Sequence, residues 1–454
     1  MFRPKFYPGL IHFFGLFALL IASPLALYAQ TTETPQAPPD LTRPTVLSRP
    51  ASGIAAPSLD ESAIPSVGMT GILVETLEGQ MVMEQLGNLA FNPASAVKLA
   101  TALAALRTFG PEHRFTTAVW TTGTIDKATG TVNGDLIISG RDPSFHYEHA
   151  VMIARELNRM GIRTVTGDLI VAPRFTMNFN LSAQRSGDSF YDTLDATRRP
   201  AAASRAWMDE RTALRDTASL QSVPSVAVMG AVYVDAVPKG AKPIMTHSSS
   251  KLVDVLKVLL CYSNNFMAER IGDTMGGPEG VRRVAIRDAG VNPAEISLAT
   301  TSGLGVNRVT PRAMMKIFRA LRTELAKAKL SPSDIMPVAG IDPGTLQKRY
   351  TSYPSRGSVI AKTGTLIRTD GGVSALVGQM KTARGETLLF VIFNQRGSFL
   401  RFRESQDMLV TQLQNQRGGP AAFDYRPQTL SMRLADTEQS AMTALSDEYE
   451  PGTR

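Results

Sequence analysis

Apolar positions along the chain change period several times, and each change marks an element. Two short alternating runs, 71–76 and 80–84, flank Glu78-Gly79 and predict a hairpin. Val97, Leu99, Ala100, Leu103, Leu106 and Phe109 then follow a helical spacing rich in alanine, stopped by Gly110-Pro111. So apolar a run predicts a helix buried on most sides. Two near-copies come next, Thr131-Val132-Asn133-Gly134-Asp135-Leu136-Ile137 and Thr164-Val165-Thr166-Gly167-Asp168-Leu169-Ile170, each a turn feeding a strand. A helix-like stretch, 150–160, separates them, and two copies predict paired strands rather than a solenoid, which needs more repeats. Residues 174–243 are irregular and read as an inserted subdomain. Helical spacing returns over 251–273, interrupted at 261–265, and again over 311–328. Strands are predicted at 358–365, 372–380 and 387–393, the last two joined by a turn at Ala383-Arg384-Gly385, before a closing helix at 398–414. Strands therefore come from both ends of the folded region and helices from its middle. That order predicts an α/β (α+β) core, an antiparallel sheet flanked by helices with an inserted subdomain.

The ends read differently. Arg3 and Lys5, an apolar run over 10–22 and Ala29 predict a signal peptide, 1–29, and hence an exported, periplasmic protein. That run is short for a membrane span, which needs about 20 residues. Pro35, Pro38, Pro39, Pro44, Pro50 and Pro57 mark 30–65 as a Pro-rich linker. Residues 417–454 have weak periodicity and are expected to form a poorly ordered tail. Composition is ordinary for a globular chain: 454 residues, 43% apolar and 19% charged, which excludes disordered, collagenous and all-membrane classes. One cysteine excludes an intramolecular disulfide framework. The net charge of +8 loses two units with Arg3 and Lys5. An excess of positive charge suits an anionic surface such as cell-wall polymer, though solvated charge is the simpler account. The basic residues are scattered without aromatic interleaving, so no nucleic acid is expected as a partner.

Three short motifs carry candidate chemistry. Ser95-Ala96-Val97-Lys98 opens the buried helix, and a three-residue spacing puts hydroxyl and amine on one helical face. A serine becomes a nucleophile when a neutral amine takes its proton. Lys98 needs its pKa lowered from about 10.4 by roughly three units, which burial and a second cation can supply. The helix N-terminus adds backbone N–H groups near a developing oxyanion. A second copy of this spacing, Ser248 to Lys251, lies in His247-Ser248-Ser249-Ser250 and reads as a helix N-cap. Ser263-Asn264-Asn265 falls where two helical stretches break and can relay a proton and orient the lysine. Lys362-Thr363-Gly364, followed by Thr365, lies in a predicted strand; lysine and threonine suit a carboxylate, and glycine lets a backbone lie flat against the strand edge. His146 and His149 flank Tyr147-Glu148, but two histidines make an incomplete ligand set with no third candidate in that loop. No metal and no cofactor are expected.

S-x-x-K, S-x-N and K-T-G in this order resemble the signature of penicillin-binding proteins and serine β-lactamases. The wider resemblance is to the D-alanyl-D-alanine carboxypeptidase/endopeptidase family of class C low-molecular-mass penicillin-binding proteins (peptidase family S13). It extends to Asn92-Pro93-Ala94-Ser95, Ser139-Gly140-Arg141-Asp142-Pro143, Thr246-His247-Ser248, Ser263-Asn264-Asn265-Phe266-Met267-Ala268-Glu269 and Pro337-Val338-Ala339-Gly340-Ile341-Asp342. Ser95 and Ser263 are too far apart for a class A β-lactamase. The resemblance implies a penicillin-binding-protein/serine β-lactamase-like transpeptidase fold, with 66–120 and 244–416 as the catalytic domain and 121–243 inserted. It implies an acyl-enzyme peptidase of peptidoglycan stem peptides, inhibited by β-lactams. In it Ser95 is the nucleophile, Lys98 its base, and Ser263 and Asn265 the relay. Lys362 and Thr363 hold the terminal carboxylate, with Gly364 and Thr365 completing the binding strand. The N–H groups of Ser95 and Thr365 form the oxyanion hole. Where the family carries Asp-Gly-Ser-Gly-Leu-Ser, this chain has Thr300-Thr301-Ser302-Gly303-Leu304-Gly305, without the acidic residue.

Overall fold

A computed structural model describes residues 68–213 and 223–441. The expected signal peptide and linker lie outside these residues, as does 442–454 of the expected tail. Among the described residues, no helix is long and apolar enough to cross a membrane.

The first sheet joins the two ends of the folded region. β1 (Met69–Thr76) and β2 (Met81–Gln85) form the hairpin expected at Glu78-Gly79, and three late strands follow: β14 (Val359–Leu366), β15 (Val373–Lys381) and β16 (Thr387–Gln395). Their order is β14-β15-β16-β1-β2, antiparallel throughout. Side chains alternate across the sheet as strand geometry requires. Leu73, Ala375, Val377, Leu389, Val391 and Phe393 face the main core, which includes α1 (Lys98–Phe109), α5 (Leu252–Tyr262) and α8 (Pro311–Lys327). Ile72, Val74, Leu376, Phe390 and Ile392 face the other way, onto Leu409, Val410 and Leu413 of α10 (Phe399–Asn415). With both faces covered, the strands read as near-continuous apolar runs. α1 is buried at every position from Lys98 to Leu106, which places its first lysine in the core.

The inserted region is built on a stacked repeat. β5 (Thr131–Asn133) and β6 (Leu136–Gly140) form the first near-copy, and β7 (Thr164–Val165) and β8 (Leu169–Val171) the second, with α2 (Tyr147–Arg159) crossing between them. The copies lie side by side, parallel and in register: Thr131 opposite Thr164, Leu136 opposite Leu169. A third rung follows, β9 (Ala227–Val228) and β10 (Val232–Val234), pairing Ala227 with Thr164 and Val232 with Leu169. The expectation of a simple strand pair is thus corrected: three turns stack. Asp135 accepts the Asp168 N–H (2.9 Å), and Asp168 accepts the Ala231 N–H (2.7 Å). Among the described residues no further strand pairs beyond the last rung, so alanine can stand where the first two carry aspartate.

β6, β8 and β10 belong to a six-stranded sheet ordered β10-β8-β6-β3-β11-β17, where β3 is Thr116–Thr121, β11 Lys242–Ser248 and β17 Glu438–Ala441. Boundaries expected at 120/121 and 243/244 therefore fall within β3 and β11. Two further corrections concern this sheet. Residues 418–441, expected to be poorly ordered, contain α11 (Leu430–Leu434) and β17, which pairs antiparallel with β11; a short polar edge strand leaves almost no periodic trace. Ser248 does not cap a helix, because it ends β11 and α5 starts at Leu252 with Lys251 as its N-cap.

Candidate active site

The three motifs meet between α1, the break that follows α5 and β14. A 3-10 turn, Ala94–Val97, leads into α1 and carries Ser95. Asn92 holds the turn from before it: its Oδ1 accepts the Ala94 N–H (3.0 Å), and its Nδ2 donates to Gly305 O and Asp370 Oδ2. α5 ends at Ser263 in the left-handed conformation (φ 58°, ψ 41°), and Asn264 then caps α6 (Asn265–Thr274) by accepting the Met267 N–H. A serine held left-handed carries backbone strain, a state that persists where the surroundings over-determine it. This sharp break aims both Ser263 and Asn265 inward. On β14, Gly364 lies against the Ser95 turn so closely that a Cβ there would stand 2.7 Å from Pro93 O; here glycine is needed for close approach.

Lys98 Nζ has three partners: Ser95 Oγ at 3.0 Å, Asn265 Oδ1 at 2.7 Å and Ser302 O at 2.5 Å. The amide oxygen and the carbonyl can only accept. A neutral amine has two protons and one lone pair, so its protons go to Asn265 and Ser302 and its lone pair to the Ser95 hydroxyl. Burial above all, and then the Lys362 charge, push the Lys98 pKa well below the lysine range, against the pull of Glu269. Lys362 Nζ donates to Ser263 Oγ (2.8 Å) and Thr363 O (2.7 Å), and burial lowers its pKa to about 7. Beyond it, the Thr365 hydroxyl accepts from Arg403 of α10 at 3.0 Å. Every sequence-predicted residue of the three motifs is thus in one place.

Other members of this neighbourhood had weaker sequence signals. Glu269, four residues after Asn265 on α6, accepts the N–H groups of Thr301 and Ser302 and so fixes the carbonyl that orients Lys98. It lay within the Ser263 landmark, but its part in orienting Lys98 depends on a segment remote in sequence. Thr300, at the position of the family's missing acid, closes the following turn with its hydroxyl, accepting from Gly303 N and donating to Leu304 O. Arg403 gave no local signal. Its position is set by the packing of α10 across the sheet.

A family model described as D-Ala-D-Ala carboxypeptidase 3 (S13) matches residues 54–178 and 197–416. The chain belongs to this family. It is a serine DD-carboxypeptidase/endopeptidase of the penicillin-binding type. A carboxypeptidase of Mycobacterium tuberculosis is 26% identical over 80% of this chain and 84% of its own length. Among solved structures, the predatory peptidoglycan endopeptidase Bd3459 of Bdellovibrio bacteriovorus superposes with a TM-score of 0.66 at 23% identity, covering 79% of this chain and 95% of that one. Penicillin binding protein 4 of Haemophilus influenzae, solved with a β-lactam, gives 0.58 at 22%, covering 77% and 97%. These structural likenesses show the penicillin-binding-protein fold.

Of His146 and His149, outside these motifs, His149 has neighbours that the sequence does not show. Asp142, His149 and His247 each offer a ligand atom within 4.8 Å of the others. The sequence offered no third candidate in the loop of His146 and His149; His247 comes from outside it, because pairing of β11 with β3 brings it beside α2 and the β6–α2 loop.

Proposed function

We propose that Ser95 attacks the carbonyl of the penultimate D-alanine of peptidoglycan stem peptides. Its proton passes to Lys98 as the C–O bond forms, and the N–H groups of Ser95 and Thr365 stabilise the oxyanion. The proton then returns through Ser263 to the departing amine nitrogen as the C–N bond breaks. Asn265 orients Lys98 throughout. Lys362, Thr363 and Thr365 hold the terminal carboxylate of the leaving residue, while Gly364 allows the strand to lie close to the acyl bond. Water then releases the acyl group from Ser95. A β-lactam presents the same carbonyl and carboxylate but keeps its leaving group tethered, so it traps the acyl-enzyme. Such a substrate places the protein outside the cytoplasm, in the periplasm.

The observation that supports this reading most is the partner set of Lys98, which leaves its lone pair one direction, toward Ser95. Incubation with a labelled penicillin, followed by intact mass and peptide mapping, tests it. A stable adduct on Ser95, lost in Ser95→Ala and Lys98→Ala, is the expected result. Rapid turnover of the drug makes the protein a β-lactamase instead, and no adduct at all leaves a wall-binding scaffold.

A further inference from the structure

The inserted sheet encloses a second cluster that the serine chemistry does not use. Asp142 follows β6, His149 lies in the first turn of α2 and His247 on β11; all three are at most 2% exposed. One polar atom of each is buried without a hydrogen-bond partner: Asp142 Oδ2, His149 Nε2 and His247 Nε2. Each such atom costs about 1–3 kcal/mol if nothing pairs with it, and here three stand together. We propose that Asp142, His149 and His247 form a structural zinc site that braces the inserted region against β11.

Two imidazoles and one carboxylate are a donor set suited to zinc. For Asp142 and His247 the other atom is already held, as second-shell contacts hold ligands. Ser144 donates its N–H (2.8 Å) and hydroxyl (2.6 Å) to Asp142 Oδ1. The Gln439 side-chain amide stands 3.1 Å from His247 Nδ1, and either end of that amide can face the ring. Thr117 lies directly across the strand pair from His247, and its hydroxyl is also buried without a partner; it is placed to hold a water as fourth ligand. Phe145 walls the cluster, its ring 5.5 Å from His149 and 5.7 Å from His247.

Two adjustments accompany binding. Tetrahedral ligands at about 2.0–2.1 Å from zinc stand roughly 3.4 Å apart, so the three atoms, which lie within 4.8 Å of one another, draw closer on binding. His149 Nδ1 accepts the His146 N–H at 3.1 Å, so coordination through Nε2 moves the ring proton to Nδ1 and gives up that bond. The His146 N–H is then left unpaired, at a cost of about 1–3 kcal/mol that metal binding has to outweigh. The bound ion ties together the β6–α2 loop, α2 and β11, and β11 runs directly towards α5 and Ser263.

The test uses the full chain without a polyhistidine tag, loaded with Zn²⁺ and dialysed. About one zinc per chain should remain, and it should raise the melting midpoint. X-ray absorption at the zinc edge should show two imidazole nitrogens with oxygen completing the shell. His149→Gln with His247→Gln should weaken zinc binding more than about tenfold, while Ser95→Ala should not. No retained zinc, an absorption spectrum without imidazole, or equal retention in the double variant overturns the proposal. The first two readings need only the wild-type chain, so they stand even if the variant fails to fold.

Discussion

Replacing Lys362 with methionine should stabilise the protein while destroying its chemistry. Methionine fills nearly the same volume and carries no charge. Burial depresses the Lys362 pKa from 10.5 to about 7, so folding expels a proton wherever the pH lies between those values. The resulting penalty is full below pH 7, shrinks as pH rises, and is gone above 10.5. At pH 6 a shift of this size corresponds to about 5 kcal/mol. The variant also loses the bonds to Ser263 Oγ and Thr363 O, together worth about 2 kcal/mol. The net gain is about 3 kcal/mol, or roughly 5–10 °C in melting midpoint for a domain of this kind. Above pH 10 only the lost hydrogen bonds remain, and the sign reverses. Thermal melts of both proteins from pH 6 to 10.5 check this, with labelled penicillin to confirm loss of acylation. A variant destabilised by the same amount at both ends of that range would show that Lys362 carries no desolvation penalty.

Other perturbations test other parts of the site. Asn265→Asp places a negative charge 2.7 Å from Lys98 Nζ and should raise the lysine pKa by roughly 1–3 units. The acid limb of the acylation profile then moves to higher pH, and an unmoved limb refutes Lys98 as base. Gly364→Ala puts a Cβ 2.7 Å from Pro93 O and 3.0 Å from Ala94 Cβ. Acylation should slow by about 100-fold with little change in circular dichroism; wild-type rates would mean the strand and the Ser95 turn need not touch. Asp342→Asn removes the counter-charge of Lys257, buried with it at 2.6 Å, and should cost about 3–5 kcal/mol. Adding Lys257→Met should recover part of that loss in the same thermal assay; failure to do so would mean the cost came from lost packing.

Local pattern carried a large part of this architecture. The hairpin, α1, α8, α10 and the three late strands were legible because each buries a face or a whole element, and burial forces apolar periodicity. Ser95 and Lys98 were legible as a pair because three residues along a helix always share a side. Short polar elements left no such trace. β17 pairs only at a sheet edge, and the third rung at 227–234 has exchanged the threonine and aspartate of its sister copies for alanine.

What the sequence determined by itself is the set of reactive groups and the local geometry of each: a serine and a lysine one helical turn apart, a break carrying a second serine and an asparagine, and a strand with lysine, threonine and glycine. Only the tertiary structure decided their electrostatics and their company. Lys98 loses its proton readily because α1 is enclosed on all sides and Lys362 lies nearby; the apolar run foretells the enclosure, but no local stretch encodes the approach of Lys362. In the same way Asp142, His149 and His247 became a cluster through the pairing of β11 with β3. Desolvation and charge depend on every chain segment within a few ångströms, and those segments are distant in sequence.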